Sequence, residues 1–488
     1  MLLYNKNPFR ILVLAAFVSV DIITNTVLAQ SKVTLAQSKV TLAQSKVTLA
    51  RQNALVPDSI VIRKIYESAL TTHQSYDNLR YLTHKIGGRL SGSNQEAQAV
   101  VWIKSLLEQL GLDSVYLQAV TVPHWVRGIK EKARLITTEG KAIRLDVCAL
   151  GGSVATHGKL RARVIEIKSW AELAALPEQQ IKGKIVFFNR PMDPSNVEVF
   201  ESYLEAVDQR NRGAIAAAKR GAVGTLVRSL TLAKDDLPHT GAVSYEEKTK
   251  KIPAAALSTN SADKLSQALQ TTPNLVVELE MNCQQLPDIQ SFNVIGQITG
   301  STYPTEILTV GAHIDSWDLA EGASDDGTGI VQTIEVMRII KDLHPERTVR
   351  AVLYVNEESG ASGGLKYAEL AKLSPEKQLA AIESDAGGFT PKGFRIDASP
   401  EVAEHIRTWD MLFKPYQVEW MKPNQRGIDI APLKGIAKAL ISLDCDDQRF
   451  FDIHHTAADT FDKINRRELQ LGTAAMASLC YLLSKHGL

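Results

Sequence analysis

The chain has 488 residues, 44% of them hydrophobic and 22% charged, with a formal net charge of +1. That length exceeds one ordinary core, so two or three domains are expected. The near-neutral balance gives no electrostatic case for binding nucleic acid or an anionic membrane surface.

The first 29 residues read as a signal peptide. Lys6 and Arg10 form the positive start, Ile11 to Val20 the apolar run, and Val27-Leu28-Ala29 a small-residue cleavage site before Gln30. The apolar run is too short for a comfortable membrane span and Asp21 interrupts it, so export to a secreted or periplasmic location is expected, with no stable membrane insertion once the signal is removed. From Leu28 the heptapeptide Leu-Ala-Gln-Ser-Lys-Val-Thr occurs three times in tandem, ending at Thr48. Three heptads with Thr and Val on the seam make a poor zipper. Residues 30–52 are therefore read as a flexible linker.

Apolar spacing predicts helices over Ile60–Leu70, Tyr76–Leu82 and Gln95–Leu110, with Gly87-Gly88-Arg89-Leu90-Ser91-Gly92-Ser93 breaking the pattern between the last two. Pro123-His124-Trp125 marks a change of character. From there to about residue 288 short strands alternate with turns: Ala162–Ile167, Lys184–Phe188, Val223–Val227 and Leu275–Met281, around one alanine-rich helix, Gly213–Lys219. This segment, 125–288, reads as a smaller β-rich domain inserted into a larger one built from 53–124 and 289–488. In the latter part, buried-type strands Ile307–Val310, Thr348–Val355, Leu379–Ser384 and Ala437–Leu443 alternate with helices such as Thr328–Leu343 and Gly363–Leu373. The fold class that follows is α/β, with a mixed, mostly parallel sheet covered by helices on both faces.

Polar residues collect at the same end of each of these strands: His313 and Asp315 after the first, Glu357 and Glu358 after the second, Asp385 after the third, and Asp444, Asp446 and Asp447 after the fourth. In an open α/β sheet the ligand crevice lies outside the carboxyl ends of the strands. With His454-His455 just beyond, imidazoles and carboxylates without sulfur describe a divalent metal site that favours zinc. Two zinc ions need a shared carboxylate, and Asp325 lies in a Gly-rich turn at a helix start, suited to that role. His313, Asp385, Glu358 and one imidazole of the His454-His455 pair supply the further ligands. Glu357 is left as general base, taking a proton from metal-bound water. Asp315 is the expected acceptor for the outer N–H of the His313 imidazole.

These motifs resemble those of the co-catalytic di-zinc exopeptidase family, in its carboxypeptidase Q branch. The resemblance rests on His313 to Asp318, Asp325-Asp326-Gly327, Glu357-Glu358, Glu383 to Gly387 and His454-His455, in that order. It also rests on Gly87 to Ser93, Pro123 to Gly128, Ser291-Phe292-Asn293 and Ile298 to Ser301, and it runs from about residue 55 to the C-terminus. Lys182 to Val186 makes the inserted segment resemble a protease-associated domain. The family likeness implies two Zn2+ per subunit, with His313 and Asp385 on one, Glu358 and His455 on the other, Asp325 as bridge and Glu357 as base. The choice of His455 follows the family's His-Thr-x-x-Asp-Thr pattern and leaves His454 to help stabilise the tetrahedral intermediate. Dipeptides or short peptides as substrates and a homodimer are further implications.

Three other readings compete. An aminopeptidase acting on longer peptides would use the same ligands. Gly360-Ala361-Ser362-Gly363-Gly364 satisfies Gly-x-Ser-x-Gly between a strand and a helix, which would make Ser362 a serine-esterase nucleophile but leave His313, Asp325 and the Glu pair without work. A peptidase-like fold kept only for binding would show lost ligands, and none is missing.

Overall fold

The computed structural model describes residues 56–273, 275–385 and 387–488, together with Lys32, Thr34 and Gln37. The expected signal and nearly all of the heptapeptide linker lie outside the described residues. The chain divides into two compact units, Met1–Ile62 and Arg63–Leu488. Among the described residues of the first, 56–62 are helical. The second contains everything described below.

In chain order its strands are β1 (Ser114–Val126), β2 (Lys132–Ile136), β3 (Ala142–Leu145), β4 (Val147–Ala149), β5 (Leu160–Ile167), β6 (Ile185–Phe188), β7 (Gly224–Arg228), β8 (Ala254–Leu257) and β9 (Val276–Glu280), followed by β10 (Gln284–Ile298), β11 (Tyr303–His313), β12 (Arg347–Tyr354), β13 (Lys377–Glu383), β14 (Pro391–Ala398), β15 (Trp420–Pro423) and β16 (Ala439–Cys445). The helices that shape the site are α1 (Val199–Ala206), α2 (Asp208–Ala218), α3 (Thr328–Asp342), α4 (Ser362–Leu373) and α5 (Arg466–His486).

Two eight-stranded sheets result, ordered β1-β10-β12-β11-β13-β16-β14-β15 and β3-β2-β9-β5-β6-β7-β8-β4. The four central strands of the first, β12, β11, β13 and β16, run parallel, and antiparallel pairings flank them. Their apolar character follows from that position. Every residue of β12 and β16 is buried, as a strand covered on both faces requires. Strands β5 to β8 of the second sheet are parallel too, with antiparallel partners outside them.

Several elements lie where periodicity puts them, including β5, β6, β11, β12 and α3 to within a few residues. The expected break at Pro123-His124-Trp125 is instead the interior of β1. Pro123 is tolerated because β1 is an edge strand, with a register irregularity between Val122 and His124. Strands β1 and β10 remain paired through Val126↔Gln284, so the chain passes between the two sheets along a two-stranded ribbon, not a loop. Periodicity also missed α1, whose ends carry no strong cap. Glu198 precedes it without a side-chain cap bond.

A hydrophobic cluster of the second sheet, containing Val164, Phe187, Leu226 and Val277, also takes in Trp125 from β1 and Trp317 from the loop after β11. The two sheets thus share core at the point where the polar strand ends converge.

Candidate metal centre and active site

The loop from His313 to Gly329 leaves the carboxyl end of β11 and enters α3. Asp325 is the meeting point of the site. Its Oδ1 lies 3.1 Å from His313 Nε2, and its Oδ2 lies 3.1 Å from His455 Nε2. On the Oδ1 side, His313 Nε2 is also 3.5 Å from Asp385 Oδ1. On the Oδ2 side, His455 Nε2 is 3.1 Å from Glu358 Oε2. One carboxylate thus turns one oxygen toward each of two His–carboxylate pairs. Two ligands on a tetrahedral zinc with bonds of about 2.0–2.1 Å sit roughly 3.3 Å apart, so these donor spacings of 3.1–3.5 Å fit zinc on both sides.

The orientation of each donor has a local cause. His313 Nδ1 is 2.9 Å from the Asp315 carbonyl and 3.7 Å from the Asp315 carboxylate. The nearer Asp315 atom is therefore its backbone carbonyl oxygen. The carboxylate is engaged elsewhere, accepting from the backbone N–H groups of Glu357 (3.0 Å) and Glu358 (3.2 Å). It therefore fixes the turn that carries Glu357 and Glu358, while its carbonyl keeps the His313 Nε2 lone pair facing Asp325 and Asp385. On the opposite side, His455 Nδ1 faces the Thr240 carbonyl at 3.3 Å, which orders that imidazole in the same way. Thr240 comes from the segment between β7 and β8, so the second sheet positions a donor on the first.

His454 is separated from its neighbour by geometry. It stacks on His455 with ring centroids 3.5 Å apart, and its Nε2 stands 3.6 Å from Asp325 Oδ2. Phe450, Phe451 and Tyr203 surround it. Asp326 forms a group with His313 and Asp385. Its oxygens, however, accept from the N–H groups of His313 (3.2 Å) and Gly329 (2.9 Å), which ties the loop to the start of α3.

Burial is the dominant electrostatic fact. It raises the Glu357 carboxyl well above its ordinary range, against the pull of His313 and reinforced by Asp385 and Glu358. It likewise lifts Glu358 to about 6. Asp325 is the exception. Burial pushes it up, but bonds from His313 and His455 hold it well below the usual carboxylate value. Burial and the neighbouring His455 depress His454 well below an ordinary imidazole, so it is neutral. A cluster of close, buried carboxylates stays ionised when cations lie among it, a condition that bound zinc meets.

Two buried residues, Asp459 and Arg89, and the partly exposed Asp318 support the loop. Asp459 accepts from Ser324 N at 2.6 Å and Asp325 N at 3.2 Å. Arg89 donates to the carbonyls of Ile314, Glu321 and Gly322 at 2.7–3.0 Å. Asp318 takes a two-point ion pair from Arg127 at 2.7–2.8 Å. Asp459 and Arg89 sit in motifs quoted above, yet only the long-range contacts reveal what they do. The acids after β16 leave the site altogether. Asp444 pairs with Arg395 at 2.9 Å, Asp446 with Lys392 at 3.0 Å, and Asp447 accepts from Phe200 N at 2.8 Å.

Backbone geometry marks the same rim. Asn356, Ala361 and His455 have φ of 64°, 52° and 62°, the left-handed region that non-glycine residues enter at some strain and that clusters at functional sites. Ser362 donates to Asn356 Oδ1 at 2.7 Å, an amide and not a base, so the nucleophile-elbow reading has no proton acceptor.

The donors open into a cavity of about 600 Å³. Phe200, Tyr203 and Leu204 of α1, and Arg210 of α2, line it together with Glu357 and Asp385. Arg210 is buried, and none of its hydrogen-bond contacts is a carboxylate: Tyr203 Oη at 2.7 Å, the Thr240 carbonyl at 3.2 Å, Asn211 Oδ1 at 3.4 Å and His455 Nδ1 at 3.4 Å.

Residues 293–480 match the model of Peptidase family M28. Carboxypeptidase Q of Mus musculus is 33% identical over 84% of this chain and 86% of its own length, and that of Xenopus laevis is 35% identical over the same shares. Among solved structures, the Peptidase M28 precursor from Shewanella amazonensis superposes with a TM-score of 0.83 at 34% identity, covering 88% of this chain and 97% of that one. A zinc aminopeptidase from Bacillus subtilis shares the fold, with a TM-score of 0.62 at 20% identity over 86% and 97% of the two chains. With the His–carboxylate pairs meeting on Asp325, these likenesses make the chain a zinc metallopeptidase, and it belongs to peptidase family M28, in its carboxypeptidase Q branch.

Proposed function

We propose that the chain is an exported di-zinc exopeptidase that hydrolyses dipeptides or other short peptides, with Glu357 as general base. The observation that carries this reading is Asp325, whose two oxygens face separate donor pairs. His313 and Asp385 would hold one ion, Glu358 and His455 the other, and Asp325 both. Zinc bound there supplies Lewis acidity, polarising the scissile carbonyl and lowering the pKa of water beside it.

The chain's own residues do the rest. Glu357, its backbone held by Asp315, accepts a proton from the attacking water and returns it to the leaving amine. Burial raises its proton affinity, which favours taking that proton. Neutral His454 at the cavity wall offers an N–H to the developing oxyanion. Arg210 supports the short-substrate reading. A buried guanidinium with no carboxylate among its partners favours an anion beside it, and the free carboxylate of a dipeptide is such an anion. The cavity size and the wall formed by α1 limit the length of chain that fits.

On this reading residues 53–124 and 289–488 form the peptidase domain, and 125–288 the inserted, protease-associated-like domain. The family likeness supports a homodimer, and the sequence of residues 1–29 supports export. Among the described residues no helix is long and apolar enough to cross a membrane.

Metal analysis should find two zinc ions per chain, and a dipeptide panel should be hydrolysed faster than analogues blocked at either end. One zinc per chain would overturn the paired centre. Hydrolysis of carboxyl-blocked and longer peptides at equal rates would make the enzyme an aminopeptidase of broader reach.

A further inference from the structure

Trp317 sits in the loop between two proposed zinc ligands, His313 and Asp325, and touches neither. Its indole is seated with little freedom. A Cβ on Gly151 would fall 1.9 Å from the ring, Trp125 meets it edge-on at a centroid distance of 6.5 Å, and His455 does so at 5.7 Å. The ring packs in the hydrophobic cluster of the second sheet, yet its buried Nε1–H has no hydrogen-bond partner among the described residues. A buried N–H of that kind is costly unless something accepts it.

Among the other buried polar atoms in this condition are Glu358 Oε1 and Ser91 Oγ, the latter close to the Glu96 carboxylate. Trp317, Glu358 and Ser91, with Gly151 and Ser359, line one cavity of about 20 Å³. That volume holds a single water and not two. A water matches the three groups chemically, because it can accept from the indole N–H, donate to the carboxylate and exchange a bond with the hydroxyl. The other oxygen of Glu358, Oε2, is the one 3.1 Å from His455 Nε2.

We propose that one water occupies this cavity and links Trp317 Nε1 and Ser91 Oγ to Glu358 Oε1, making Trp317 a positioning residue that turns Glu358 Oε2 toward the metal centre. The proposal rests on the reading of Glu358 as a zinc ligand. It gives the conserved chemistry of an outer hydrogen-bond partner to a carboxylate ligand, which typically changes metal affinity by about 10- to 100-fold when removed.

Zinc affinity, measured on the full chain by competition with a chelating dye, tests it. Trp317→Phe keeps a ring against Gly151 and removes the N–H, and zinc binding should weaken by roughly 10-fold or more. In a Glu358→Ala background, itself weakened, the same change should have no further effect, because the water has lost the acceptor it positions. Parental zinc affinity in Trp317→Phe, or an equal loss in both backgrounds, overturns the proposal. Parental affinity in Glu358→Ala overturns the ligand assignment beneath it, which is a separate and recognisable failure. A crystal structure of the unaltered zinc-loaded protein needs no variant to fold. It should show one water within hydrogen-bond distance of both Trp317 Nε1 and Glu358 Oε1, and a dry cavity or a Glu358 with both oxygens on zinc would refute the link.

Discussion

The rim of the first sheet brings four carboxylates and two imidazoles to the cavity, whereas the half of the chain around the second sheet brings Arg210, the Thr240 carbonyl and the rings of Phe200 and Tyr203. The first surface is an excess of buried negative charge and is incomplete without cations. The second is a buried positive charge with no carboxylate among its partners, and it is incomplete without an anion. On the proposed function, zinc answers the first need and a substrate carboxylate the second. The same metal chemistry can therefore serve different substrates according to what the facing segment provides.

The comparison can be broken most severely at the acidic surface. Glu357→Gln removes the base and leaves all proposed ligands, so kcat should fall by about 10²–10⁴-fold while metal analysis still finds zinc. Normal turnover in that variant would remove Glu357 from the mechanism.

At the basic surface, Arg210→Met should raise KM for free dipeptides by roughly 10- to 100-fold, the range for losing a charged hydrogen-bond partner. Carboxyl-amidated substrates should be affected little. An equal effect on both would mean that Arg210 acts on the fold or on Thr240, and not on the substrate carboxylate.

Removing zinc should expose the cost of the acid cluster as a pH dependence. In the metal-free chain burial raises Asp459 to about 7 and Glu383 to about 8. An acid with a raised folded pKa leaves the native state holding more protons than the unfolded one. Its penalty is absent below the ordinary carboxylate range and grows as pH climbs toward about 8. The chelated protein should melt roughly 2–5 °C lower at pH 8 than at pH 5.5, and added zinc should flatten that difference. A chelated protein equally stable at both values would show that the cluster is relieved some other way.

The smallest effect belongs to the contact that holds the two surfaces together. Glu198, just before α1, is paired with Arg395, Lys422 and Arg426 on the first sheet's side. Glu198 itself is partly exposed, although Arg395 is buried, so Glu198→Gln should cost about 1 kcal/mol or less and lose much of its effect at high salt. A change in KM without one in melting temperature would show that the pairing sets the position of the α1 wall.

How much of this was readable from the chain varies by residue. The convergence of His313, Asp325, Glu357, Glu358 and Asp385 could be expected because each follows a buried apolar run or a glycine turn, and strand ends in an α/β sheet meet at one crevice, whereas the preference for His455 over His454 came from the family pattern. Asp444, Asp446 and Asp447 satisfy the same rule and fail it. Their partners Arg395 and Lys392 lie on β14, and the Phe200 N–H on α1, so no local pattern distinguishes them from ligands. The ribbon of β1 and β10 was hidden for a related reason. Proline reads as a break until the strand is known to lie at an edge.

The sequence by itself determined the class of chemistry, since residue type and order restrict the metal, the bridge and the base. It could not determine which atom of a residue is used. His313 takes the Asp315 carbonyl while the carboxylate serves the Glu pair, and both lie within a few residues of their partners. Nor could it assign Arg210, Thr240 or Trp317, whose roles depend on contacts between distant segments of the chain. Covalent order fixes what is available at a strand end. Only packing decides which long-range neighbour leaves a donor, an acceptor or a charge unmatched.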